Sequence, residues 1–198
     1  MRPITRTLLA VAMLAALPLA ANAESTTVTT GSANARLDFQ VTIPRVLMLQ
    51  VGSAGTGIDQ ISFDMSATPA NVGNGTPVAG TGGDQGAGAV TAKVLGNNGN
   101  VTLVATSLGA LTNAAGDTIP YSEINTTATA GTTATVLAAP ALANGASSSV
   151  ALTAVNKIVR QDAKWTFAYK NTNPVAPGVY GGSAAGGNGR VTYTASMP

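Results

Sequence analysis

The stretch Ala35-Arg36-Leu37-Asp38-Phe39-Gln40-Val41-Thr42-Ile43 alternates apolar and polar side chains without a break. Period two is the spacing of a β-strand, because successive side chains of a pleated chain point to opposite faces. The pattern predicts a strand with four inward-facing side chains: Leu37, Phe39, Val41 and Ile43. Pro44 follows directly and has no N–H for a ladder, so we expect a bulge or an edge position there.

The same period recurs along the chain. Further strands are predicted at Val46–Val51, Ile61–Met65, Ala89–Leu95, Asn100–Thr106, Val150–Val155, Lys164–Lys170 and Arg190–Met197. Two of these strands each place bulky side chains on one face: Trp165, Phe167 and Tyr169 in one, and Val191, Tyr193, Ala195 and Met197 in the other. No stretch of the mature chain shows helical apolar spacing convincingly.

Turn signals separate these strands. Gly96-Asn97-Asn98-Gly99 predicts a hairpin, since Asn and Gly tolerate the positive φ of tight turns. Residues 66–88 and 181–189 are predicted to be mobile loops, and Ala128–Ser149 is either a strand with a long loop or partly disordered. Many short strands with few helices favour an all-β protein, a β-sandwich, with a closed barrel as the alternative.

The first 23 residues are typical of an export signal. Met1–Arg6 carries two positive charges, Leu8–Ala20 is almost wholly apolar, and Ala21-Asn22-Ala23 is a small-x-small cleavage pattern. We predict cleavage between Ala23 and Glu24, passage through the periplasm to the cell surface, and no membrane insertion after signal removal. A retained membrane anchor is the alternative, but the apolar run is shorter than the ~20 residues that span a bilayer.

Charge and composition exclude several classes of function. Without Arg2 and Arg6, eight of the ten basic residues remain against eight acidic ones, so nucleic-acid binding is not expected. The chain has no Cys and no His, which excludes disulfides, thiolate or imidazole metal sites and Cys or His nucleophiles. A pair of carboxylates such as Asp59 and Asp64 would suit a paired-carboxylate site in a cleft, but such spacing is common and the signal is weak.

Two glycine-rich loops have a structural and a chemical interpretation. Gly82–Gly86 is a flexible loop or, less favoured, a calcium loop, since its spacing matches no EF-hand. Gly181–Gly189 runs into a strand, which favours a hairpin loop over a phosphate cradle. We therefore predict no enzyme, no cofactor and no metal.

Four short motifs resemble exported pilin subunits of the chaperone–usher type, particularly the Csu-like and spore-coat-U-like branch. They are the first alternating strand Leu37–Ile43 after a polar lead, Ile61-Ser62-Phe63-Asp64, Thr118-Ile119-Pro120-Tyr121, and Pro177-Gly178-Val179-Tyr180 followed by Gly189–Pro198. The chain departs from many relatives in lacking a disulfide, in having Met197 where many place an aromatic residue, and in the length of the 181–189 loop.

The resemblance implies an immunoglobulin-like β-sandwich that lacks one strand and is completed by a donated strand. It implies a periplasmic chaperone, an outer-membrane usher and other copies of itself or related pilins as partners, in the shaft of a surface fimbria. The donor would lie in 24–34, through Thr26, Val28 and Thr30, before a domain at 35–198. Its acceptor groove would be flanked by Leu37, Phe39, Val41 and Ile43 and by Val191, Tyr193, Ala195 and Met197.

A second hypothesis is a secreted carbohydrate- or surface-binding adhesin module. Aromatic side chains stack on sugar rings, so Trp165, Tyr169 and Tyr180 would be the candidates. The alternating pattern around Trp165 and Tyr169 favours core positions for these two.

Overall fold

The computed structural model describes residues 24–183 and 186–198. This part of the chain is all-β, and its helices are two 3₁₀ turns, Pro69–Asn71 and Tyr121–Glu123, neither long enough to cross a membrane. The strands are β1 Leu47–Val51, β2 Ile61–Ser62, β3 Val78–Ala79, β4 Thr81–Gly82, β5 Ala89–Gly96, β6 Val101–Ser107, β7 Leu111–Thr112, β8 Thr118–Ile119, β9 Ile124–Ala130, β10 Val150–Leu152, β11 Val159–Tyr169 and β12 Val191–Ser196. The chain divides into two units at the Ile43–Pro44 bond, and every strand of the described residues lies in 44–198.

The strands form several antiparallel sheets, which is consistent with a β-sandwich. One sheet has the order β1-β5-β11-β3, with β9 also paired to β11, and another has the order β10-β6-β12. β2 with β4 and β7 with β8 form two-stranded ribbons. The turn Gly96-Asn97-Asn98-Gly99 joins β5 to β6 at the predicted place, but the predicted hairpin is wrong. β5 and β6 do not pair with each other, and the turn connects the two larger sheets.

The core is built from the inward phase of the alternating strands. Val90, Ala92 and Val94 of β5 pack with Val101 and Leu103 of β6, and all five are buried. The aromatic face of β11 joins the same core through Trp165, Phe167 and Tyr169. Trp165 is fully buried, and its indole N–H donates to the carbonyl oxygen of Leu137 at 2.8 Å, so its one polar group is satisfied.

Most of the predicted strands are confirmed, with shifted ends. β1, β5, β6 and β12 match their predicted ranges closely, while β11 begins earlier, at Val159. The predicted strand Ile61–Met65 is limited to β2, and Val150–Val155 ends at Leu152. β9 was not predicted as a strand, because its Thr-rich sequence carries one large apolar residue, Ile124.

The predicted strand at Ala35–Ile43 is wrong. No strand is assigned there, and Leu37, Phe39, Val41 and Ile43 are between 76% and 86% exposed. The alternation is present, but no described strand supplies a ladder partner, and without one an extended segment does not become a sheet strand. The predicted inward orientation of these four side chains is therefore corrected too.

The long loop at 66–88 is tied to the domain by one buried side chain. Asn171 is fully buried and has a positive φ of 56°, which Asn tolerates better than most residues. Its Oδ1 accepts from the backbone N–H of Gly73 at 2.7 Å, and its Nδ2 donates to the carbonyl of Asn71 at 2.7 Å. β3 and β4 lie in the same loop and were not predicted.

Candidate functional site: an open sheet edge

The candidate site is formed by two neighbouring edge strands. Among the described strands, β1 ends its sheet and is hydrogen-bonded to β5, while β12 ends the other sheet and is hydrogen-bonded to β6. β1 and β12 lie side by side without pairing with each other. Each therefore presents unpaired backbone groups on its outer side, which is the feature that invites an added strand.

Apolar side chains lie along both of these edge strands. Val191, Tyr193, Ala195 and Met197 are half-buried against the core, and the alternate residues Thr192, Thr194 and Ser196 are exposed, as the pattern predicted. On β1, three half-buried side chains pack against the same core: Leu47, Leu49 and Val51. We call these seven apolar residues, with the outer backbone edges of β1 and β12, the open edge.

Leu47 and Met197 meet at one end of the open edge, and an aromatic pair packs beneath it. Leu47 and Met197 converge on Gly96, where even a methyl group would contact both side chains. The Tyr193 ring packs on Trp165 with centroids 5.4 Å apart and planes inclined by 45°. Burial raises the pKa of Tyr193 far above its usual value, so the phenol remains neutral in this apolar setting.

The N-terminal unit contains a second apolar feature. Over residues 24–43 every described side chain is exposed, and the apolar members cluster in the half that contains Leu37–Ile43. In the predicted donor Glu24–Asn34, Val28 is the only large apolar side chain and is 43% exposed, while Thr26 and Thr30 are polar. Glu24 and Arg36 form an exposed ion pair with Nε–Oε2 at 2.6 Å, of a kind that solvent screens strongly.

The carboxylates that could suggest chemistry are engaged in local turns. Asp59 accepts from the backbone N–H and hydroxyl of Ser53, Asp64 accepts from the N–H of Ser66 at 2.8 Å, and Asp84 accepts from the N–H of Thr91 at 2.7 Å. These bonds lower the pKa of Asp64 and of Asp84, although desolvation opposes the shift at Asp84 and is its largest single influence. Within residues 24–183 and 186–198, no group of three or more acidic side chains is placed to hold a metal ion.

Asp162 is a site that sequence reasoning missed. It is buried on β11, and its carboxylate accepts from the backbone N–H and hydroxyl of both Thr132 and Thr133. These bonds, led by the Thr132 hydroxyl, hold the pKa of Asp162 far below its usual range. The adjacent threonines in the ambiguous 128–149 segment were a faint signal that this segment is fixed to β11.

The aromatic residues considered for sugar stacking are mostly in the core. Trp165 is fully buried and Tyr169 is 7% exposed, so neither presents a ring face to a ligand. Tyr180 is half-buried, and its hydroxyl donates to the carbonyl of Ala176 at 2.7 Å. These positions leave no stacking platform built from the three predicted residues together.

The remaining predicted positions divide between the core and the undescribed residues. Ile119 and Tyr121 of the mid-chain motif are buried, and the Tyr121 hydroxyl donates to the carbonyl of Asn188 at 2.7 Å. Phe63 packs on Tyr169 with ring centroids 6.4 Å apart. The predicted signal 1–23, including Ala23, lies outside the described residues, as do residues 184 and 185 of the glycine-rich loop.

Comparisons of the chain with protein-family models, with curated proteins and with solved structures found no match. Function is therefore inferred from the open edge and from the N-terminal segment.

Proposed function

We propose that the protein is a structural subunit of a surface fimbria that polymerises by strand donation. In this proposal the domain is an immunoglobulin-like sandwich that lacks one strand, and the open edge is its acceptor. A periplasmic chaperone first supplies the missing strand, and the N-terminal segment of another copy then replaces it at an outer-membrane usher. The observation that carries the proposal is that four alternating apolar side chains are exposed in a chain whose edge strands β1 and β12 are each paired on one side only.

The burial of apolar surface favours Leu37–Ile43 as the donor over Glu24–Asn34. Transfer of a large apolar side chain from water to a core yields about 1.5–3 kcal/mol. Leu37–Ile43 has four such side chains and Glu24–Asn34 has one, so the first segment gains about 5–9 kcal/mol more. Ordering a strand costs about 1–2 kcal/mol per residue for either segment, so the difference in apolar burial decides between them.

This proposal changes the role of the first alternating segment. The sequence interpretation placed Leu37, Phe39, Val41 and Ile43 beside the groove of their own domain and placed the donor at Thr26, Val28 and Thr30. With Leu37–Ile43 as donor, the acceptor is instead flanked by Leu47, Leu49 and Val51 of β1 and by the half-buried face of β12. An open contact of this kind adds copies head to tail and builds a filament.

The test uses the full chain exported and purified as a monomer. A peptide that copies Ala35–Val46 is added and thermal unfolding and oligomer size are measured, with a peptide of the same composition in scrambled order as control. We expect the native-order peptide to raise the unfolding temperature and to block filament growth. A stable monomer that forms no filaments and is indifferent to the peptide overturns the proposal. If a Glu24–Asn34 peptide stabilises the monomer and the Ala35–Val46 peptide does not, the donor is Glu24–Asn34.

A further inference from the structure

The junction between the N-terminal segment and β1 is held by the side chain of a turn residue. Asn97, in the turn between β5 and β6, accepts at Oδ1 from the backbone N–H of Val46 at 2.8 Å and donates from Nδ2 to the carbonyl of Pro44 at 2.7 Å. Its own backbone N–H donates to the carbonyl of Val46 at 3.2 Å. One residue thus makes three hydrogen bonds to a three-residue stretch.

These bonds give Pro44–Val46 a strand-like course. In an extended chain, residues two apart direct their backbone groups to the same side. Pro44 and Val46 fit this pattern, since the backbone of each is hydrogen-bonded to the Asn97 side chain. The β1–β5 ladder ends at the Leu47–Gly96 pair, and the backbone bond from Asn97 to Val46 lies directly beyond it. The side chain of Asn97 extends this alignment to Pro44. Arg45, between them, donates from its guanidinium to the main-chain oxygen of Pro198.

The same three residues would form the loop if the chain were to complete its own sheet. Leu37–Ile43 could reach the outer edge of β1 by a hairpin turning at 44–46, and three residues are enough for such a loop. Self-completion would be favoured over binding to another copy, since a segment tethered this closely has an effective concentration in the millimolar range. A reversal at 44–46 would break the contacts to Asn97. Pro44 opposes it as well, because proline fixes its own φ and restricts the preceding residue.

We propose that Asn97 is a specificity-determining residue that reserves the open edge for a second copy of the chain. By holding Pro44–Val46 extended, it prevents Leu37–Ile43 from folding back onto the β1 of its own domain. The inference rests on the proposed function, because it presumes that Leu37–Ile43 is the donor.

The test compares Asn97→Ala with Asn98→Ala in the full chain. Asn98 is the matched control, since it lies in the same turn and its Nδ2 donates to Pro198, 2.6 Å away, instead of to the junction. Removal of two side-chain hydrogen bonds shifts the ratio of self-completed monomer to polymer roughly 5- to 150-fold. We expect Asn97→Ala to accumulate monomer whose unfolding temperature exceeds that of the wild-type monomer, and Asn98→Ala to assemble like wild type.

A second substitution distinguishes self-completion from simple damage. In the Asn97→Ala background, Phe39→Ala is expected to remove the added thermal stability of the monomer, because Phe39 would then be buried in its own domain. If Asn97→Ala fails to fold, Pro44→Gly tests the same junction and is expected to raise the monomer fraction. Unchanged assembly in both junction variants, or a monomer whose stability does not depend on Phe39, overturns the inference. Failure of the wild-type chain to polymerise overturns instead the proposed function beneath it.

Discussion

Replacement of Phe39 by alanine is expected to abolish assembly while leaving the free subunit folded. Phe39 is 86% exposed and lies in the N-terminal unit, so its removal costs the isolated subunit no core packing. Exposed substitutions of this kind usually change stability by about 0.5 kcal/mol or less. On the proposed function, by contrast, assembly buries the ring in the acceptor of the next copy.

The magnitude follows from that difference in burial. Phe-to-Ala substitution in a core costs about 3–5 kcal/mol, through lost transfer energy and the cavity that remains. Since each 1.4 kcal/mol is a tenfold change, the association constant should fall roughly 150- to 5000-fold. Val28→Ala is the matched control: it removes the single large apolar side chain of 24–34 and should change association by about threefold or less.

The measurement is sedimentation of the purified chain over a range of concentrations, with thermal unfolding of each monomer as the folding control. Loss of polymer in Phe39→Ala and retention in Val28→Ala support donation by Leu37–Ile43. The reverse result would show that the donor lies in Glu24–Asn34. Wild-type assembly in both variants would refute strand donation by this part of the chain.

Three further predictions concern the domain itself. Leu103→Ala, at a fully buried position of β6, should lower the free energy of unfolding by about 2–5 kcal/mol, measured by urea denaturation. Asp162→Asn should destabilise the domain at neutral pH. Because the folded pKa of Asp162 is depressed, the aspartate's contribution is complete above about pH 4 and is lost as pH falls through that pKa, so the difference from wild type should shrink in acid. Burial raises the pKa of Tyr121 to about 12, so its contribution to wild-type stability should fall as pH rises from about 10 toward 12. Tyr121→Phe should lower the free energy of unfolding by about 0.5–1.5 kcal/mol at pH 7, through the lost bond to Asn188. It should also remove the loss of stability between about pH 10 and 12, and urea unfolding at pH 7 and in that alkaline range would test both effects.

The strands of the core were predictable from the sequence because burial of one face produces a clear alternation of apolar and polar residues. β5, β6 and the aromatic face of β11 follow this rule, and their buried residues are those that the pattern selects. β9 was not predictable in the same way, since its Thr-rich residues are fixed by pairing along β11 from Ile124 to Ala130. Pairing is a tertiary contact, and local sequence does not encode it.

The alternation at Leu37–Ile43 shows the limit of the same rule. Period two indicates that a segment is suited to a half-buried strand, but it does not specify which sheet completes the burial. The apolar face of β12 was predictable from Val191–Met197 alone, whereas the role of β1 as the opposite border required the sheet order. The junction at Asn97 was beyond sequence reasoning, because its partners lie about fifty positions earlier in the chain.

An exposed apolar segment with strand periodicity, in a chain that also has open sheet edges, is a hazard when the chain remains alone. Alternating segments of this length promote non-specific β-aggregation, and natural sequences limit it with charges and prolines nearby. This chain places Arg36 and Asp38 within or next to the segment and Pro44 directly after it, yet retains four large apolar side chains. The charges and the proline are of the kind that limits random association, and on the proposed function the apolar side chains are retained for a specific acceptor. On the proposed function, the charges with the proline and the four apolar side chains meet one requirement. The segment must stay unpaired in its own copy until the open edge of another copy receives it.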